Sequence, residues 1–249
     1  MRQWLGSIGF TLYLFLSVPI YGLVVVATAP LPRRLTYATV LAWVDSVLFL
    51  LRWLCRLDYV VEGREHLPAG SAVVLMKHSS AWETIAQLRI FPPQTWVMKR
   101  ELTWVPVLGW VLLLLKPIAI NRKGGGAAVQ QVLELGRQRL AEGLWVVIFP
   151  EGTRVPAGQS RRYGMSGALL AAAAGVPIVP VAHNSGEFWP RRGWLKRAGT
   201  IRVVIGPPIP TAGVEPRALN ERTQGWIEST LAAISQPQPD SANPTGPAR

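Results

Sequence analysis

The stretch 72–83, Ala-Val-Val-Leu-Met-Lys-His-Ser-Ser-Ala-Trp-Glu, decides the fold. A short run rich in Val and Leu ends in a polar turn, and a helical pattern follows it from residue 81 to 90. A continuous apolar run of this length reads as a strand buried on both faces. The same grammar recurs about seventy positions later. The apolar run 144–149 ends in Phe149-Pro150-Glu151-Gly152-Thr153-Arg154.

Working outward, further strands are expected at 58–62, 95–99, 118–121, 178–182 and 201–205. Helices are expected at 81–90, 107–115, 126–142, 167–174 and 216–234. This alternation predicts an α/β domain built on a largely parallel, mixed sheet flanked by helices. In such sheets ligands sit beyond the carboxyl ends of the strands. Both polar stretches fall there, so the fold is expected to bring them together.

The N-terminal part differs in composition. Residues 3–32 carry no charge. As a helix this segment would run roughly 45 Å, against a hydrocarbon core of ~30 Å. It is long for the apolar region of a cleaved secretory signal and reads as a retained anchor. A second apolar stretch, 35–57, holds Asp45, Arg52 and Arg56, with Trp43 and Trp53 placed for the headgroup level. Joined at Pro30-Leu31-Pro32, the two form a membrane-embedded helical hairpin. The expected organisation is therefore anchoring helices over 1–56, a catalytic domain over 57–235 and a disordered, proline-rich tail over 236–249.

The formal net charge is +12. Zinc-finger spacing, an RNA-binding aromatic motif and a basic heptad region are all missing, which argues against nucleic acid. Beside an apolar anchor, the charge fits attraction to anionic lipid headgroups. Cys55 is the single cysteine, so neither an intramolecular disulfide nor a thiolate metal cluster can form; the expected chemistry needs no metal.

The chemistry-bearing residues fall into a few groups. His78 offers a base suited to neutral pH. Glu83, if on the first turn of the helix, reaches back to fix the imidazole tautomer. Ser80-Ala81-Trp82-Glu83 also reads as a capping box, which competes with that role. Gly152 allows a close backbone approach, and Arg154 suits bidentate phosphate binding. Glu151 can hold such cations or meet an acceptor hydroxyl. The segment from Lys99 to Arg122 has basic ends that could clamp a phosphate and an apolar middle fit for lipid. Pro177 and Pro180 argue that 176–183 is an edge strand or wall. His183 reads as structural. There is no nucleophile elbow, so direct transfer is favoured over a covalent intermediate.

Taken in order, these segments resemble the 1-acylglycerol-3-phosphate acyltransferase family, over roughly residues 57–210. The resemblance rests on Phe149–Arg154, on the Lys99-x-Glu101-Leu102-x-x-x-Pro106-x-x-Gly109 pattern and on Val176-Pro177-Ile178-Val179-Pro180-Val181. Glu83 stands where the family usually has aspartate, and Lys116 where it often has glycine. The resemblance implies that His78 deprotonates the free hydroxyl of a lysophospholipid, which attacks an acyl thioester on coenzyme A or acyl carrier protein. No bound cofactor is implied. It further implies that Lys99, Arg122, Glu151, Gly152, Thr153 and Arg154 hold the acceptor's phosphate, and that Pro177 and Pro180 line the acyl or thioester site. The implied setting is a membrane, the bacterial inner membrane, with the catalytic domain facing the cytoplasm. Another acceptor (glycerol-3-phosphate, a lyso-aminolipid or a lipid A precursor) and a non-catalytic module that binds anionic lipid are the alternatives.

Overall fold

The computed structural model describes residues 1–235. The tail 236–249, expected to be disordered, lies outside the described residues. Two helices open the chain, α1 (Arg2–Ala27) and α2 (Arg33–Cys55). The strands are β1 (Leu57–Glu62), β2 (Val73–Met76), β3 (Gln94–Lys99), β4 (Ile118–Ile120), β5 (Trp145–Ile148), β6 (Ile178–His183) and β7 (Gly199–Ile205). Between and after them run α3 (Trp82–Ile90), α4 (Leu108–Leu114), α5 (Gly126–Ala141), α6 (Ser166–Ala174), α7 (Ser185–Phe188) and α8 (Pro216–Ile234). The short α7 and two 3-10 turns, Arg64–His66 and Arg100–Trp104, are additions to the sequence expectation.

The seven strands form one sheet in the order β1-β7-β6-β2-β5-β3-β4. The run from β6 to β4 is parallel throughout, whereas β7 is antiparallel to β6 and carries β1 parallel to itself. Side-chain alternation divides the core into two layers. Val74, Met76 and Val147 pack with Trp82, Ala86, Phe10 and Leu51 on the hairpin face. Val73, Leu75, Val146 and Ile148 pack with Val132, Leu170 and Ile227 on the other. Each such aliphatic side chain, fully buried, contributes ~1.5–3 kcal/mol.

This arrangement fixes where a site can form. From β2 the chain crosses by α3 to β3, beyond β5. From β5 it crosses by α6 in the other direction, to β6. The neighbouring strands β2 and β5 therefore send their connections to opposite sides, which opens a crevice at their carboxyl ends. His78 follows β2, and Glu151 to Arg154 follow β5.

Strand β6 corrects one expectation. It lies inside the sheet, paired with both β2 and β7, not at an edge. Pro180 is tolerated there because the ladder to β7 is interrupted beside it. Ile178 bridges Ile209, but from Val181 onward the partners begin at Ile205, so the register shifts by one residue between them. The Pro180 carbonyl accepts from Gly206 N at 2.9 Å, and the missing N–H falls in this bulge.

Helices α1 and α2 cross closely. A Cβ on Gly6 would lie 2.1 Å from the Leu54 carbonyl oxygen, so only glycine fits. Trp43 Nε1 donates to Ser17 Oγ at 3.0 Å, and Tyr13 Oη and Ser46 Oγ bond at 2.6 Å. At its base the hairpin joins the domain core. Phe10 meets Trp189 edge-on at 5.4 Å, and Lys196 N donates to Ser7 Oγ at 2.9 Å. Further along, Val25, Val40 and Val44 pack with Leu88 and Leu115 of the domain, and the outward faces of both helices are bare. Only 22% of the apolar window of α1 and 28% of that of α2 are buried, and Leu12, Phe15, Ile20, Phe49 and Trp53 are exposed.

Candidate active site

The turn after β2 is pinned by one carboxylate. Glu83 Oε1 accepts from His78 Nδ1 at 2.9 Å, from Ser79 N at 2.9 Å and from Ser80 N at 2.7 Å. Its other oxygen accepts from Ser185 Oγ at 2.9 Å. Ser80 Oγ in turn accepts from Trp82 N at 3.1 Å. One carboxylate thus both caps the turn and contacts the His78 ring. Burial alone would raise the Glu83 carboxyl, but the His78 hydrogen bond, the electrostatic pull of the two neighbouring imidazoles and the Ser80 amide together hold it below its ordinary value. The side chain stays an anion in a dry site.

With Nδ1 donating to Glu83, the imidazole lone pair resides on Nε2. The ring stacks on Phe149 at 4.3 Å, which sets its plane. The His78 carbonyl accepts from Val155 N at 2.8 Å, tying the two signature loops together. His183 is buried, its Nε2 bonded to the Lys77 carbonyl at 2.7 Å, and burial pushes its pKa down. It braces the strand end from behind, as its structural reading required.

The second loop divides its labour. Gly152 adopts φ +67°, and its carbonyl accepts from Arg122 Nη1 at 2.6 Å. Glu151 turns inward. Its Oε1 lies 3.4 Å from Lys77 Nζ and accepts from His78 N at 3.4 Å, while Oε2 has no hydrogen-bond partner. Burial pushes this carboxyl up to about 7, against the opposing pull of Lys77. Lys77 is itself enclosed and pairs with Glu228 Oε1 at 2.7 Å, and Tyr163 Oη donates to the same oxygen at 2.9 Å.

A cavity of about 470 Å³ connects these parts. Its polar end is lined by His78, Lys99, Arg122, Thr153, Arg154 and Arg191. Its body is apolar and lies between the hairpin and the domain, with Val18, Gly22, Val40, Leu88, Val111 and Leu115 among its walls. The sequence-predicted residues therefore separate. His78, Lys99, Arg122, Thr153 and Arg154 share the cavity. Glu83 stands behind His78. Glu151 and Gly152 shape the loop without lining the cavity. Pro177 and Pro180 lie toward the amino end of β6, away from the strand ends where the cavity opens, and line no part of it.

Sequence reasoning missed three contributors. Ser185 has no motif of its own. Arg191 was visible only as a basic pair with Arg192. Lys77 was visible as a charge closing an otherwise apolar strand. Lys116 takes φ +53°, the left-handed conformation that a glycine would occupy there. Among the described residues no cluster of three or more His, Cys, Asp or Glu could hold a metal ion.

Fold and site together fit a group-transfer domain: a buried histidine–carboxylate pair beside cationic groups, at the polar end of a largely apolar cavity. Residues 58–184 match the family model described as Acyltransferase. A Pseudomonas aeruginosa protein named 1-acyl-sn-glycerol-3-phosphate acyltransferase is 42% identical over 97% of this chain and 96% of its own length. The human 1-acyl-sn-glycerol-3-phosphate acyltransferase alpha is 30% identical over 76% of this chain and 69% of its own. The crystal structure of the 1-acyl-sn-glycerophosphate acyltransferase PlsC from Thermotoga maritima has the same fold, with a TM-score of 0.79 at 20% identity, covering 95% of this chain and 98% of that one. The chain belongs to the acyltransferase family, and it is an enzyme.

Proposed function

We propose that the protein transfers an acyl chain from a thioester, on coenzyme A or acyl carrier protein, to the free sn-2 hydroxyl of lysophosphatidate, giving phosphatidate. The observation that carries this reading is the shared cavity. His78 and the Arg122–Arg154 pair open onto one space whose remaining walls are apolar and partly formed by the hairpin.

The acceptor's phosphate is held by Arg122 and Arg154, with Thr153 and Lys99 beside them, through charge-assisted hydrogen bonds. His78 Nε2 takes the proton from the sn-2 hydroxyl as its oxygen attacks the thioester carbonyl. Glu83 stabilises the imidazolium that forms. The tetrahedral intermediate collapses, the C–S bond breaks, and the imidazolium returns its proton to the departing thiolate. No step calls on a metal ion. The thioester is already reactive, so positioning and proton transfer supply much of the acceleration.

The bare apolar helices and the net charge of +12 support a place on an anionic membrane. The proposed setting is the bacterial inner membrane, with the site facing the cytoplasm. The test is an assay of the purified protein with lysophosphatidate and labelled acyl-coenzyme A or acyl carrier protein. Labelled phosphatidate with one free thiol per product supports the reading. Release of free fatty acid would make the protein a hydrolase, and no thiol release would make it a lipid-binding module.

A further inference from the structure

A second cavity, of about 480 Å³, begins at Ser79, the residue after His78. Its walls include Pro156, Gly186 and the guanidinium-bearing residues Arg191, Arg192 and Arg197, with Glu187 the one carboxylate among them. Arg191 lines both cavities. The cavity is held close to the reacting base by a tight packing contact: a Cβ on Gly186 would sit 2.8 Å from Ser79 Cβ, so α7 can lie directly on the His78 loop. Asn184 Nδ2 donates to Glu187 Oε2 at 3.4 Å, and Arg197 Nη1 donates to the Glu187 carbonyl at 3.5 Å. Arg191 Nη1 donates to the Arg154 carbonyl at 3.2 Å. The bonds of Arg191 and Arg197 each use one of five guanidinium N–H groups, so most of their donors remain to meet a ligand.

A thioester donor has two halves, and the transfer proposed above leaves only one of them housed. The apolar first cavity accepts the acyl chain, and Arg122 with Arg154 take the acceptor's phosphate. The sulfur departs from a carbon held at His78, so the carrier arm needs a separate path from that point to solvent. The second cavity starts at the neighbouring residue and carries a surplus of positive charge. We propose that it receives the pantetheine arm of the donor, with the arm's phosphate held by Arg192 and Arg197. Phosphorylated pantetheine is common to coenzyme A and acyl carrier protein, so one site serves either donor. This inference rests on the acyl-transfer reading.

The test reverses the charge at two exposed positions, Arg192→Glu with Arg197→Glu, with the Arg→Lys pair as the conservative control. Binding is measured by calorimetry with coenzyme A, dephospho-coenzyme A, 4′-phosphopantetheine, holo acyl carrier protein and unphosphorylated pantetheine. The expected result is at least a tenfold loss of affinity for all four phosphorylated probes, retention in the Lys pair, and no change for pantetheine. In the assay, KM for the donor rises and KM for lysophosphatidate is unchanged. Unaltered affinity for the phosphorylated probes overturns the proposal, as does a wild type that binds none of them. An equal loss for pantetheine, or a loss confined to acyl carrier protein, also overturns it, because phosphate would not be what the arginines read. Binding is measured without turnover, so the two readings fail separately. Arginine-dependent binding without phosphatidate formation sinks only the acyl-transfer reading. Phosphatidate formation with an unchanged donor KM sinks only the second site.

Discussion

One oxygen of Glu83 lies 2.9 Å from His78 Nδ1 and also accepts the amides of Ser79 and Ser80. The residue that orients the His78 ring is therefore the residue that shapes its turn. Glutamate where the family usually has aspartate does not lose the contact, because the longer side chain reaches back from the first turn of α3. Glu83→Ala should cost stability as well as activity. It leaves several buried donors without an acceptor, at about 1–3 kcal/mol for each group. Glu83→Gln keeps the oxygen and removes the charge. It should fold with a melting temperature near wild type and lose ~10²-fold or more in kcat, within the range set by general acid–base catalysis. Thermal melts and turnover on the two variants separate the roles. Equal melting losses in both would assign Glu83 to the fold alone.

His78→Ala removes the base and leaves Glu83 its three remaining donors. Turnover should fall by ~10²–10⁴-fold with the fold retained, read by product formation and circular dichroism. Near-wild-type turnover in this variant would remove proton abstraction by His78 from the mechanism.

Arg154→Ala and Arg122→Ala should both raise KM for the phosphorylated acceptor, by roughly 10- to 100-fold at ~1.5–3 kcal/mol per charged hydrogen bond. They should differ in one respect. Arg122 also braces the Gly152 carbonyl, so its loss should loosen the loop and lower kcat as well. An unchanged KM in either variant excludes that residue from the anion site.

Much of this was legible because strands and helices alternate cleanly along residues 57–234. Every expected strand and helix of the domain occurs, with ends displaced by at most two residues. The crevice followed from strand order in the chain, since His78 and Arg154 each lie in the loop after a parallel strand. What sequence could not give was direction. Glu151 and Arg154 are three positions apart on one loop, yet one turns into the protein toward Lys77 and the other lines the cavity. That difference depends on Lys77 and Glu228, a buried cation and its partner 151 residues away. The prolines misled for a related reason. Pro180 implied an edge strand, but its missing N–H is absorbed by a bulge opposite Gly206, a device set by β7 and invisible in the motif itself. Ser185 reaches Glu83 from a four-residue helix too short for any periodicity to announce.

Glu151 gives a pH signature. Its carboxyl titrates at about 7 in the folded protein against an ordinary 4.5, so the folded state binds that proton more tightly than the unfolded state. The associated stability is fully present below about pH 4.5 and declines as pH rises through 7. The whole effect is roughly 3 kcal/mol at ~1.36 kcal/mol per unit. Glu151→Gln has the same shape and no such titration. Its melting temperature relative to wild type should climb between pH 5 and 8. The depressed Glu83 carboxyl acts in the opposite sense but is common to both proteins and cancels in the difference. A pH-independent difference would mean that Glu151 is ionised throughout.

Gly22 is part of the wall that α1 gives the first cavity. It lies on α1 against the start of α4, where Val107 holds φ +63°, and a Cβ there would be 2.5 Å from Val107 Cγ1 and 3.5 Å from Val111 Cγ2. Gly22 and Val111 both line the cavity, together with Leu108 and Leu112 of α4. A larger residue must either push α4 away or project into the space a chain would fill. Gly22→Val should therefore shorten the acyl chain the enzyme prefers. With one methylene worth ~1–3 kcal/mol in a closed apolar pocket, kcat/KM for long-chain thioesters should fall at least tenfold while short-chain donors keep their rates. A panel of thioesters of graded length reads this directly. A uniform decline at every length would place the acyl chain elsewhere and leave Gly22 as a packing glycine between two helices.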